Sequence, residues 1–412
     1  MSNKTNEEIE NMNKQLKQIE DNNESIDDAF FSNLTKKQIF ELFDECNYNM
    51  INYIISNKNG FDINMIIDGK TLLYNACDKN NHVVIQLLLS NSATDINKAS
   101  TDEYGATPLY IACQQGHEKV VRLLLAQSAT KVNQATTGFG TTPLFIACLE
   151  GHEEVVQLLL AHAETKVNQV STDEWGFTPL YIACQEGHEE VVQLLLAHAE
   201  TKVNQATTDE WGTTPLFIAC HNGYEGVVRM LLEHVATKVN QARTDDGVTP
   251  LWMACQQGHE GVVRLLLDHA KTKVNQVMTD NGITPLYTAC HQGHEEVVRL
   301  LLACTATDVN QTDNSGKTSM DIACHKNQNK IVELLLADCR TKRISLSVRN
   351  YYEVYYQALR NVISKRNAKF RGLIRASIVF RRMRLRVALK VYAPGGAGFR
   401  VAAASFNAAV ES

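Results

Sequence analysis

Eight cysteines, Cys77, Cys113, Cys148, Cys184, Cys220, Cys255, Cys290 and Cys324, fall 34 to 36 residues apart along a chain of 412 residues. Disulfide frameworks are not spaced so evenly, so these positions mark one structural place repeated eight times. Six of the seven prolines keep the same period, at Pro108, Pro143, Pro179, Pro215, Pro250 and Pro285. Length alone suggests two or three ordinary domains. The period replaces that expectation with an array, in which each unit buries its apolar surface against its neighbours.

Each unit reads G-x-T-P-L-[YFW]-x-A-C-x-x-G-H-E-x-V-V-x-L-L-L, as from Gly176 to Leu196, followed by a polar stretch. Thr178 and Pro179 form a helix start: the threonine can accept from an orphan amide, and proline is tolerated at the first helical position. The short helix runs to Gly187, which can take the left-handed conformation that ends it. His188 and Glu189 then open a second helix with a wide apolar face made of Val191, Val192, Leu194, Leu195 and Leu196.

This pattern resembles the ankyrin repeat, whose signature is T-P-L-H-x-A within a helix-turn-helix unit. The resemblance implies an all-α solenoid of L-shaped units whose β-hairpin tips project toward a concave binding face. Three departures stand out. Tyr110, Phe145, Tyr181, Phe217, Trp252 and Tyr287 replace the family histidine, which puts in question the hydrogen bonds that residue makes between repeats. Cysteine replaces the second alanine. The period is also longer, and the surplus is assigned to the loop around Lys166, Val167 and Asn168.

Terminal units should differ, because one side faces water. At the front, Leu72 and Asn80 replace the proline and glycine. Upstream, Thr35 to Gln38 reads as a capping box and residues 50–64 echo a second helix and loop, so 35–66 is read as a degenerate first repeat. Eight repeats then span 69–337. The last, at 316–337, carries Ser319, Asp321, Asn327 and Gln328 in place of Pro, the aromatic, Gly and His. The repeat domain is thus 35–337, between a polar tail at 1–34, read as disordered or a frayed helix, and a basic, partly helical segment at 338–412.

Charge separates along the same boundaries. Residues 338–412 hold 16 Lys and Arg against three acids, about +13, which leaves about −19 on the rest of a chain whose net charge is −6. With 44% hydrophobic and 21% charged residues, the composition excludes a wholly disordered, collagenous or membrane-embedded chain. The first residues lack the apolar core of a signal peptide, and a cytoplasmic location is expected, with a nuclear one as the alternative. Cys46, Cys304 and Cys339 lie outside the repeat position, and no disulfide is expected in a reducing compartment.

The chain spells no nucleophile elbow, P-loop, dinucleotide fingerprint or H-E-x-x-H, and an active site is a unique place that an array of near-identical units does not supply. Enzymatic activity and a cofactor are therefore not expected. A cysteine followed four residues later by histidine, as in Cys184 and His188, could be a zinc half-site. The stronger reading makes the cysteine a small buried hydrophobe and the histidine a helix start.

An array instead offers surface. The residue before each turn glycine is Tyr104, Phe139, Trp175 and Trp211 in four consecutive units, then Asp246, Asn281 and Ser315. Aromatics are favoured interface anchors, and these four are candidate partner contacts, against the alternative that each ring packs on its neighbour. The concave face is expected to begin at Gln114 and Gln115, Leu149 and Glu150, Gln185 and Glu186, His221 and Asn222, Gln256 and Gln257, and His291 and Gln292. Asp102, Glu103, Asp173, Glu174, Asp209, Glu210, Asp245 and Asp246 make the face acidic, so a basic segment would be steered toward it.

One such segment lies in the chain. Residues 370–386 mix Phe370, Ile374 and other apolar residues with Arg371, Arg375, Arg381 and Arg382, as a basic amphipathic helix would. It could dock on the acidic repeats, meet nucleic acid or anionic lipid, or serve as a calmodulin-like target. The reading reached is a non-catalytic scaffold or adaptor with a protein partner. The alternatives are an adaptor anchored by its basic tail to nucleic acid or anionic membrane, and a substrate-recruiting subunit of a regulatory complex.

Overall fold

The computed structural model describes residues 62–338 and residue 340. The readings made for 1–34, for most of 35–66, and for Phe370, Arg371, Ile374, Arg375, Arg381 and Arg382 lie outside the described residues. The chain divides into two compact units, one ending at Lys238 and the other beginning at Val239.

In the first unit a two-stranded antiparallel ladder, β1 (Ile66–Ile67) with β2 (Lys70–Thr71), precedes five helix pairs. These are α1 (Leu72–Asp78) and α2 (His82–Ser90), α3 (Pro108–Gln114) and α4 (Glu118–Leu125), α5 (Pro143–Glu150) and α6 (Glu153–Leu160), α7 (Pro179–Glu186) and α8 (Glu189–Ala197), and α9 (Pro215–Asn222) and α10 (Glu225–Glu233). The second unit holds α11 (Pro250–Gln257) and α12 (Glu260–Asp268), α13 (Pro285–Gln292) and α14 (Glu295–Ala303), and α15 (Ser319–His325) and α16 (Asn329–Ala337). Within each unit, first helices pack on first helices and second on second, as a solenoid of stacked pairs requires.

The local signals act as written. The Thr178 hydroxyl accepts from the Tyr181 amide at 3.1 Å, Pro179 opens α7, and Gly187 closes it at φ +79°. Where the glycine is missing, Asn80 and Asn327 take the same left-handed conformation at φ +57° and +56°, a position that asparagine tolerates better than most residues. On α8 the buried face is narrower than expected: Val191, Val192 and Leu195 are buried, whereas Leu194 and Leu196 are half-buried. Positions three and four apart share one face of a helix, so Val191, Val192 and Leu195 face inward together while Leu194 and Leu196 fall to its sides.

Where a histidine precedes the second helix, as in five repeats, it makes no side-chain cap. Its ring instead crosses to the preceding repeat: Nε2 of His117, His152, His188 and His294 lies 3.1, 2.9, 3.0 and 2.9 Å from the carbonyls of Asp78, Gln114, Leu149 and Gln256. The ring also lies over the turn glycine of that repeat, where a Cβ on Gly151 would come within 2.7 Å of His188. One repeat carries Tyr224 at this position. Its ring takes the same place over Gly187, and the lost hydrogen bond is supplied by the Asn222 amide, which donates to the Gln185 carbonyl at 2.8 Å.

A second line of bonds joins the loops. Asn97, Asn133 and Asn168 donate from Nδ2 to the carbonyls of Ala129, Glu164 and Glu200, and their Oδ1 atoms accept from the amides of Lys131, Lys166 and Lys202. Asn240 and Asn275 repeat the pattern in the second unit. Asn64 does so at the front of the first, bonding Ala93 and Asp95. A side-chain amide used this way mimics one rung of a β-ladder. Because each loop must present its carbonyl and amide to the same asparagine, its length is fixed. Pro108 to Val132, Pro143 to Val167 and Pro179 to Val203 are identical intervals, whereas Val132 to Pro143 is one residue shorter than Val167 to Pro179. The differences in length between these repeats therefore lie at the tips, and the loop around Lys166, Val167 and Asn168 keeps one length.

The aromatic residue that replaces the family histidine is not idle. Tyr110 Oη lies 3.1 Å from Thr141 Oγ1, and Tyr181 Oη lies 3.1 Å from Thr213 Oγ1, so two hydroxyls restore a bond between repeats. Where the aromatic is Phe145, which has no hydroxyl, the corresponding position of the next repeat is Phe177 instead of threonine. Trp252 keeps a buried indole N–H without a partner, and Ile283 stands at the matching position.

The last pair is closed by Arg340. Its guanidinium donates to the carbonyls of Cys304, Thr305 and Thr307 and pairs with Asp338 at 2.7 Å, so a residue counted with the basic tail belongs to the end of the repeats. Arg340 holds the Asp338 carboxyl below the usual carboxylate range, with further hydrogen bonding outweighing burial. A depressed folded pKa adds stability above the unfolded value that is lost as pH falls through the folded one. The urea midpoint of the second unit is accordingly expected to fall between about pH 6 and about pH 3, and to fall less in Asp338→Asn, as measured by circular dichroism.

Candidate functional site

The tips are built from their turns outward. In the tip at 100–106 one carboxylate oxygen of Asp102 accepts from the amides of Tyr104 and Gly105 at 3.1 and 3.0 Å and from the Ser100 hydroxyl at 2.7 Å. Burial works to raise the Asp102 pKa, but these hydrogen bonds outweigh it and hold the carboxyl below its ordinary value. Asp173 repeats the arrangement with Trp175, Gly176 and Ser171, and Asp209 with Gly212 and Thr207. These aspartates are thus parts of the turns. The neighbouring glutamates, Glu103, Glu174 and Glu210, are exposed.

With the turn held from three residues earlier, the residue before the glycine is released from turn duty. In the second unit, which has shorter tips, Asp246 and Asn281 occupy that position and accept from the amides of Val248 and Ile283.

Successive tips are tied by backbone bonds. Thr137, Thr172 and Thr208 donate to the carbonyls of Tyr104, Phe139 and Trp175 at 2.9, 3.0 and 3.0 Å, and Gly138 adds a second bond to Tyr104 at 3.4 Å. The hairpins expected from the repeat pattern are therefore joined by one or two backbone bonds at each step. Among the described residues, the two-residue strands β1 and β2 form the one strand ladder, and Thr312 with Thr318 an isolated bridge.

The rings fall into two pairs. Tyr104 and Phe139 lie 6.3 Å apart between centroids and are 49% and 55% exposed. Trp175 and Trp211 lie 5.4 Å apart, tilted by 39°. Trp175 also stacks on Phe177 at 6.2 Å, and Phe177 on Tyr181 at 4.7 Å and 5°. Tyr181 is buried, so a column of rings runs from the core out to Trp211, which is 38% exposed. Packing on neighbours and exposure to solvent, posed as alternatives by the sequence, coexist here.

The short-helix candidates divide by exposure. Gln115, Glu150, Glu186, Gln257 and Gln292 are exposed, whereas Gln114, Gln185, His221, Asn222, Gln256 and His291 are half-buried. The half-buried class belongs largely to the frame: the carbonyls of Gln114, Gln185 and Gln256 receive the bonds between repeats, and the Asn222 amide supplies one. Burial, aided by Lys326 and His325, lowers the His291 pKa.

The ankyrin repeat model (3 copies) matches residues 42–136, 128–207, 200–278 and 270–345. The chain belongs to the ankyrin-repeat family. No curated protein matches the chain. Among solved structures, the ankyrin repeat domain of human ASB11 is similar at 27% identity, over 53% of this chain and 92% of that one, with a TM-score of 0.45.

Ankyrin repeats are generally modules for protein interaction, and the fold is typically non-catalytic. In this ankyrin array the repeated thiols are buried, and burial pushes Cys148, Cys184, Cys220 and Cys290 far above the ordinary thiol range, with Cys324 raised to about 12. A buried thiol held in its protonated form is a weak nucleophile and a weak ligand. Among the described residues no three His, Cys, Asp or Glu side chains gather as a metal ion requires. The histidine bonds, the asparagine ladder and the Arg340 clamp went unrecognised in the sequence. The recurrence of Asn after Val or Ile, as at Asn97, Asn133 and Asn168, was the available signal for the ladder.

Proposed function

We propose that the protein is a non-catalytic scaffold or adaptor that holds a protein partner on the tips of its first unit. The observation that carries this reading is the exposure of Tyr104, Phe139 and Trp211 on turns pinned by hydrogen bonds. Leaving apolar area in water forgoes about 25 cal/mol per Å², and rings held out by a rigid turn offer that area to a partner at little cost in ordering. The exposed members of the short-helix set, Gln115, Glu150 and Glu186, extend the surface with groups that can donate or accept hydrogen bonds.

The test is differential capture by the full chain and by a variant carrying Tyr104→Ala, Phe139→Ala, Trp175→Ala and Trp211→Ala. A partner retained by the wild type is expected to bind the variant at least about tenfold more weakly, while the thermal unfolding of the variant stays cooperative. Equal retention by both overturns the reading.

A further inference from the structure

The end of the second unit is open on one part of its surface and closed on another. In an array every inner unit is flanked on both sides, whereas the last has a neighbouring repeat on one side only. Its tip and turn show that free side. A Cβ on Gly247 or Gly282 would meet Thr279 or Asn314 of the following tip within 2.7 Å, but one on Gly316 meets nothing within 4 Å. At the turn, His325, Lys326 and Asn327 are all exposed.

The helical body behaves otherwise. Six consecutive residues of α15, Ser319 to Cys324, are buried, and at 3.6 residues per turn six residues point all round a helix. The same six positions of α7 are buried because α5 and α9 flank it. Asp321 reports on the free side directly. It stands where Tyr110 and Tyr181 reach into the following repeat. Its carboxylate bonds back to Thr318 within its own cap, yet it is only 9% exposed. A ninth repeat would have covered the tip and the turn as well, so what covers the helices is a smaller element.

The chain supplies one. The Arg340 carbonyl accepts from Asn310 at 2.7 Å, so the chain leaves the array from this end. From Arg340 to Tyr351 it can reach roughly 35 Å when extended, against about 10 Å for the length of α15. Residues 351–364 read YYEVYYQALRNVIS. On a helix Tyr352, Tyr355, Tyr356, Leu359 and Ile363 share one face, and Glu353, Gln357, Arg360 and Ser364 the other. The apolar face carries no charge, unlike the arginine-rich stretch 370–386. We propose that residues 351–364 form a helix that lies on α15 and caps the array, leaving the last tip open. A bare end would offer its apolar side to another molecule, so the same contact keeps two copies from stacking end to end.

The test compares two variants of the full chain that carry the same added charge. One is Tyr355→Asp with Leu359→Asp, on the apolar face, and the other is Gln357→Asp with Ser364→Asp, on the polar face. The readout is the labelling rate of the buried Cys324 thiol, resolved by mass spectrometry. Labelling is expected to be at least about tenfold faster in the first variant than in the wild type, and unchanged in the second. Equal rates in the two variants overturn the proposal.

A benzophenone amino acid introduced at Tyr355 gives a readout that does not depend on destabilising anything. On illumination it is expected to attach within residues 319–336 of the same chain. Attachment to the tips of the first unit, or to a second copy, overturns the proposal by naming a different contact for this segment.

Discussion

Leu195→Ala is expected to destabilise the first unit by about 3 kcal/mol, the middle of the range for a fully buried leucine that leaves a cavity. Leu195 is wholly buried on α8, which packs between α6 and α10, so the void opens between repeats instead of at an edge. The buried thiols provide the readout, because Cys184 and Cys220 react with a thiol reagent only after local opening. Every 1.4 kcal/mol is a factor of ten, so their labelling is expected to accelerate about a hundredfold. Cys77, at the front of the same unit, should accelerate less if repeats open in groups. Uniform acceleration of all five thiols from Cys77 to Cys220 would show that the unit opens as one block.

Gly187→Ala is the second large effect, and it separates two causes. At φ +79° an L side chain costs about 1–2 kcal/mol from backbone sterics alone. The new Cβ would also sit 2.9 Å from the Tyr224 ring, which must then shift away from the turn. Gly316 has φ +80° and nothing within 4 Å of an added Cβ, so Gly316→Ala isolates the backbone component. The expected result is a loss of about 1 kcal/mol at Gly316 and at least about 2 kcal/mol at Gly187, from chemical denaturation. Equal losses would mean that the ring over the glycine adds nothing to the stack.

Most of the frame was legible because each local signal had a single use. Thr178, Pro179 and Gly187 mark the two ends of a helix through backbone geometry that depends little on neighbours, and Asn80 was readable as a glycine substitute for the same reason. What escaped depends on the next unit along. His188 was readable as the residue before a helix, but its bond to the Leu149 carbonyl exists only once two repeats are stacked. Asn222 was chosen as a surface residue because it is polar and follows the cysteine. Its task became visible only with Tyr224 in the place of histidine and the Gln185 carbonyl left to satisfy. Arg340 was counted with the basic tail because charge is additive in sequence, whereas a clamp on helix-end carbonyls is a matter of position. At the candidate site the order of the rings was legible, but their pairing was not, since ring contacts depend on how tips lean toward one another.

The fixed interval from proline to valine, set against a variable stretch from valine to proline, gives the protein a division of labour that can be exploited by grafting. The asparagine ladder and the histidine bonds hold the frame without involving the tip, so the tip behaves as a cassette with defined ends. Lengthening a loop costs only about 0.6 kcal/mol per doubling once its ends are held. A Thr-Asp-Glu-Trp-Gly tip of the first unit, with its own aspartate to form the turn, could therefore be transplanted in place of residues 244–247 without disturbing the helices on either side. The same frame would then display a new row of side chains, with the position of each set by the repeat beneath it.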